Sequence, residues 1–242
     1  MKIQTNIIRL LAFSLLALTS CSNNSTDKKE LSLEVDNSQA NKTSSPSNKS
    51  TYFKEVTIGN QVWMSENLDV EKFRNGDPIP EAKTDEQWRR AGEVKQPAWC
   101  YYDNNPVNGR KYGRLYNWYA VNDPRGLAPA EYHIPNANEW SILENYLGEN
   151  AGAKLRAMSG WNSNKRYGKN STNSSGFTGL PGGERNNILK FFDAGNSGYW
   201  WSSTEGSDTN ALMRYLNYSD NYFNRYFVEK SFGLSIRCIK NK

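Results

Sequence analysis

Ser175-Gly176-Phe177-Thr178-Gly179-Leu180-Pro181-Gly182-Gly183, Gly198-Tyr199-Trp200-Trp201-Ser202-Ser203 and Gly233-Leu234-Ser235-Ile236-Arg237-Cys238 are three phrases of one stretch, residues 175–238. Their glycines suit a backbone that turns through positive φ, and their aromatics suit a core. In the last phrase the apolar Phe232, Leu234, Ile236 and Cys238 alternate with Gly233, Ser235 and Arg237, which predicts a final strand with one buried and one polar face. A domain built this way closes on its own C-terminus. Leu180-Pro181-Gly182-Gly183-Glu184-Arg185 holds a glycine pair but lacks the Lys-Ser/Thr ending and following helix of a phosphate loop, so it reads as a turn.

Adjacent residues on a strand point to opposite faces, so one sheet face cannot bury both Trp200 and Trp201. Two readings stand. Either both indoles are core beneath long loops, or an exposed indole stacks on a sugar ring while Asn217, Tyr218, Asp220, Asn221, Tyr222 and Arg225 hydrogen-bond its hydroxyls. Asp208, Asp220 and nearby Asn side chains are hard oxygen ligands of the kind calcium takes, but they form no motif and no metal site is assigned.

Moving outward, Phe53–Ile58 and Gln61–Met64 flank Gly59-Asn60 and read as a hairpin. Asn75-Gly76-Asp77-Pro78 marks a turn, and Thr84 with Gln87 forms a capping box that opens a helix through Trp88 and Ala91. Ala98–Tyr102 and Leu115–Val121 are dense in strand-forming and core aromatics, with a turn at Asp103-Asn104-Asn105-Pro106 between them. Asn136 and Glu139 form a second capping box before Trp140, Leu143 and Leu147, and Gly148 ends that helix. A shorter helix is expected at Ala151–Met158, then a polar loop from Asn162 to Ser175, then antiparallel strands after Gly183. No fixed-period repeat or change of composition divides residues 52–242, so they read as one α+β domain.

All eight tryptophans lie between Trp63 and Trp201, so the folded part is expected to begin near residue 51. Before it, Lys2 and Arg9 flank the apolar run Leu10–Leu18, which is too short to span a bilayer and suits a signal peptide over residues 1–20. The run ends in Leu18-Thr19-Ser20-Cys21, which resembles a bacterial lipobox and implies a diacylglyceryl group on Cys21. Ser22 after the cysteine resembles the pattern not retained at the inner membrane, and implies an outer-membrane lipoprotein on the periplasmic or cell-surface side. From there to Ser50 the chain is rich in Ser, Asn, Lys and Thr, with few large aliphatics and no aromatic, a composition expected to form a disordered tether spanning about 30 Å as a coil. The formal charge of +5 is spread over a mixed surface with no phosphate-tracking stripe, which argues against nucleic acid as a partner.

Ile58-Gly59-Asn60-Gln61-Val62-Trp63-Met64-Ser65-Glu66-Asn67-Leu68, Tyr112-Gly113-Arg114-Leu115-Tyr116-Asn117-Trp118-Tyr119-Ala120-Val121, His133-Ile134-Pro135 with Glu139-Trp140, and the three opening phrases occur in an order that resembles the Fibrobacter succinogenes major paralogous domain. That family is found mainly in lipoproteins of Bacteroidetes. The resemblance implies a domain over residues 51–242, similar to C-type lectins and to formylglycine-generating enzymes: two main helices beside small twisted antiparallel sheets with long irregular loops. It fixes fold better than activity. The family often has a cysteine where this chain has Ala128 before Pro129, so the usual disulfide pairing is not carried over. Cys100 and Cys238 are then either bridged to each other or two buried free thiols. His133, the only histidine, is expected to fix the chain at the helix entrance through hydrogen bonds to backbone, and Arg185 and Arg237 to support the core.

Three functions compete: a tethered module that binds glycan or protein without catalysis or cofactor, an envelope assembly protein with no small ligand, and a formylglycine-generating-like oxidase. The last requires two available thiolates close together to hold copper.

Overall fold

The computed structural model describes residues 53–163, 171–186 and 190–242. The leader, Cys21 and the tether lie outside the described residues, as do residues 164–170 of the polar loop expected at 162–175. Glu55–Ile58 (β1) and Gln61–Met64 (β2) pair antiparallel about Gly59, whose φ of 63° is what the two-residue turn demands. Helix Asp85–Glu93 (α1) starts at the expected Thr84–Gln87 capping box and buries Trp88 and Ala91.

Trp99–Cys100 (β3) pairs with Leu115–Tyr116 (β4), but the connection is more than the turn that Asp103–Pro106 suggested. A 3₁₀ turn at Tyr102–Asn104 leads into helix Pro106–Tyr112 (α2), with Pro106 in its first turn and Asn105 accepting from Val107 N–H. The aromatic run after β4 also leaves the sheet at once. Asn117 accepts from Ala98 and Ala120 N–H and caps one helical turn, Trp118–Val121 (α3), so a local side-chain cap overrides the strand preference of Trp and Tyr.

Tyr132–His133 (β5) precedes Ala137–Leu147 (α4), which opens on the Asn136–Glu139 capping box and turns Trp140, Leu143 and Leu147 inward. Ala151–Leu155 (α5) is shorter than expected, ending where Arg156 turns extended. Glu184–Arg185 (β6) and Phe191–Phe192 (β7) form a small ribbon. Ser197–Glu205 (β8), Asn210–Asn217 (β9) and Asn224–Glu229 (β10) make a three-stranded antiparallel sheet in the order β10-β9-β8. Ile239–Lys240 (β11) completes a four-stranded sheet, β1-β2-β11-β5. The result is an α+β fold in which α1 and α4 are the longest helices among the described residues.

The expected two-faced final strand is corrected by the structure. Residues 233–239 are buried throughout, including Ser235 at 1% and Arg237 at 0% exposure, and they form single bridges to successive partners instead of one ladder. Gly233 pairs with Arg185, Leu234 with Tyr116 and Ser235 with Trp200, after which β11 lies between β2 and β5. Leu68 N–H donates to Ile236 O and Met64 N–H to Cys238 O. The segment threads between the sheets and touches each of the four found among the described residues, so it has no solvent face to make polar.

Among the described residues the core forms three clusters, all within the compact unit Ser50–Lys242. β8 separates the two largest. Trp201 packs with Tyr116, Trp118, Met213 and Ile236 on one side. Trp200 packs with Trp63, Trp140, Phe177 and Leu216 on the other. The smallest cluster gathers Trp88, Ala98, Cys100 and Leu115.

Candidate functional site

Trp200 and Trp201 are both 0% exposed, so neither offers a ring face to a ligand, and the sugar-platform reading of this pair is corrected. The physical reason is that the central sheet is covered on both sides. Trp200 Nε1 donates to Asn67 Oδ1 at 2.9 Å and Trp201 Nε1 to Tyr116 O at 2.8 Å, so even their polar edges are spent inside.

The adjoining loop is held from beneath by Arg156. Its guanidinium donates to Asn217 O at 2.9 Å, to Asp220 O and to Asn221 Oδ1 at 2.8 Å. Asn217 Oδ1 accepts from Ser219 N–H and Oγ–H, Asp220 Oδ1 accepts from Tyr222 N–H, and Tyr218 packs against the second cluster. These groups shape the loop itself. Of the residues expected to bind a ligand, Tyr222 and Arg225 are the ones that project into solvent.

A better-formed concavity lies elsewhere. A cleft of about 560 Å³ opens between the start of β1, residues 69–74, residues 127–132 and β11. Phe53 and Tyr132 pack edge to face in its wall, ring centroids 5.6 Å apart, and Leu127, Ala128 and Val70 supply further apolar wall. Tyr132 Oη–H donates to Glu55 Oε1, which also accepts from Lys240 Nζ at 2.8 Å. Those two donors, Lys240 first, hold the Glu55 carboxyl below its usual range. Arg74 donates twice to Ala128 O, at 3.2 and 2.9 Å, and so fixes the loop that forms the far wall. Asp69 pairs with Arg114, yet burial outweighs that pairing and raises its carboxyl pKa. Lys72 and Glu131 also line the cleft and form no ion pair among the described residues. Donors and acceptors thus surround an apolar floor, an arrangement that suits a polar, hydroxyl-bearing or peptide-like ligand.

No local motif announces this cleft, since its walls come from residues 53–55, 69–74, 127–132 and 240. One signal was present. Leu127-Ala128-Pro129, the place where the sequence departs from the pattern it otherwise resembles, forms part of the wall.

Cys100 and Cys238 are free, buried and in different core clusters, which decides between the two readings of the pair in favour of separate thiols. Burial pushes both thiols up to about 12, so they stay protonated at neutral pH. His133 bonds side chains, not backbone: Nδ1 lies 2.8 Å from Asn241 Oδ1 and Nε2 2.8 Å from Glu139 Oε1. It thereby ties the capping box of α4 to the C-terminus. Arg237 serves the core as expected, donating to Asn67 Oδ1, Met64 O and Phe177 O. Among the described residues no group of three His, Cys, Asp or Glu side chains is placed to hold a metal ion, and no helix is long and apolar enough to cross a membrane.

The family model described as Fibrobacter succinogenes major domain matches residues 56–240. The chain belongs to this family. Its Fibrobacter succinogenes major domain begins within β1 and ends with β11, so the matched region starts and finishes in neighbouring parts of one sheet. Every wall of the cleft except Phe53 and Glu55 falls inside that domain. Searches of curated proteins and of solved structures found no match to the chain.

Proposed function

We propose that this protein is a binding module, tethered to the outer membrane through lipid on Cys21, that takes a segment of glycan or peptide in the cleft walled by the Phe53–Tyr132 pair. The observation that carries the reading is the cleft itself: an aromatic pair and aliphatic floor ringed by Glu55, Lys72, Arg74 and Lys240, with a volume of about 560 Å³ that falls in the usual range for small ligands. Two protonated, separated thiols support binding without catalysis over the copper oxidase chemistry, which needs both thiolates at one metal. We read the architecture, two longer helices beside small antiparallel sheets, as a lectin-like fold put to this use.

A glycan and polysaccharide screen on residues 50–242, run with and without calcium, tests the proposal. Tyr132→Phe keeps the ring but removes the hydroxyl, and is expected to weaken saturable binding about tenfold, the worth of roughly one hydrogen bond. Lys72→Ala is expected to weaken it as well, whereas Tyr222→Ala is expected to leave it unchanged. Binding that ignores the first two variants, or a blank screen of glycans and peptides, would overturn the assignment.

A further inference from the structure

The three-stranded sheet has one covered edge and one open edge. Along β8, Gly198 bridges Gly183 and Trp200 bridges Ser235, so its outer side is closed. Among the described residues no strand pairs with the outer side of β10. That strand is nevertheless aromatic and exposed, with Tyr226 at 59% and Phe227 at 56%. Natural sheets seldom leave such an edge uncovered.

The hydrogen-bond alternation shows what the edge offers. Lys230 N–H donates inward to Thr209 O, while Asn210 O faces away, toward Gly206. Carried along the strand, this turns the main-chain groups of Asn224, Tyr226 and Val228 to β9 and those of Arg225, Phe227 and Glu229 outward. Arg225 also lies opposite Arg214, whose charge is already matched by Glu144. Arg225 forms no ion pair among the described residues, so the edge holds a cation beside another cation.

We propose that a second copy of this chain pairs antiparallel along β10, about a two-fold axis through Phe227. The outward triplet Arg225, Phe227 and Glu229 reads basic, aromatic, acidic, so reversing it matches opposite charges. Phe227 faces Phe227 of the second copy and exchanges main-chain hydrogen bonds with it, Arg225 faces Glu229 on both sides of the axis, and Tyr226 faces Val228 on the other surface of the joined sheet. A slip of one residue would put the triplets on opposite faces, and a slip of two would break the Arg225–Glu229 match, so the register is fixed. A C2 contact of this kind is closed and makes a dimer, not a fibre. None of the β10 residues lines the cleft, so the two proposals stand or fall separately.

Sedimentation equilibrium on residues 50–242 tests it. The wild type is expected to double its mass as concentration rises. Phe227→Pro removes an outward N–H without touching a bond to β9 and is expected to be monomeric with unchanged circular dichroism. Arg225→Glu is expected to be monomeric too, and Arg225→Glu with Glu229→Arg to recover the dimer, which a merely destabilised strand would not do. A wild type that stays monomeric throughout, a dimer that survives Arg225→Glu, or a charge-swapped pair that stays monomeric would overturn the proposal.

Discussion

Glu184 stands opposite Phe192 in the β6-β7 ribbon, and burial first, with Asp193 second, pushes its carboxyl from 4.5 up to about 7. The folded state therefore binds a proton that the unfolded chain has released across this interval. Stability from this group is fully present below 4.5 and is lost progressively as the pH rises to about 7. Glu184→Gln abolishes the titration, so its stability relative to wild type is expected to improve through that window in urea unfolding. Parallel pH profiles for the two proteins would refute the assignment. Residues like this one are hard to read from sequence because burial is set by distant chain. Arg237 shows the other side of the same difficulty. The core support expected of it holds, whereas the polar face that its alternation with Ile236 and Cys238 suggested does not, since its guanidinium is 0% exposed and spends its donors on Asn67, Met64 and Phe177. A residue can satisfy a buried fork of donors with carbonyls that lie 60 or more positions away.

Helix α4 was legible because its signals are local. Asn136 accepts from Asn138 and Glu139 N–H, and Glu139 reaches back to Asn136 N–H. Replacing Asn136 with Ala removes half of that box and is expected to cost about 1 kcal/mol. A urea midpoint unchanged by the substitution would contradict the capping role. The same local logic could have found α2, since Asn105 before Pro106 is a start signal for a helix as much as for a turn. Between Leu115 and Val121, by contrast, strand propensity pointed the wrong way because Asn117 offers its own carboxamide to the backbone. The cleft was not legible at this scale at all. Its floor is assembled from four separated segments, and only one of them, around Ala128, carried a mark in the sequence.

At the scale of the whole molecule, the glycine-rich and aromatic phrases did locate the centre of the fold, because the last residues lie where every sheet meets. Ile239 pairs with both Trp63 and His133 and belongs to the second core cluster. Deleting residues 239–242 removes the strand between β2 and β5, and is expected to abolish the cooperative transition and the near-ultraviolet dichroism of the buried tryptophans. A truncated chain that still unfolds in one sharp step would show that β11 is an accessory. The order of synthesis gives this arrangement a further meaning. A chain is delivered N-terminus first, and here β2 must wait for residues 233–240 before its outer neighbour exists. Contacts so distant in sequence form late. The domain thus stays open until residues 233–240 have been made, and β1 and β2 pass the whole of its synthesis as a hairpin with one bare edge.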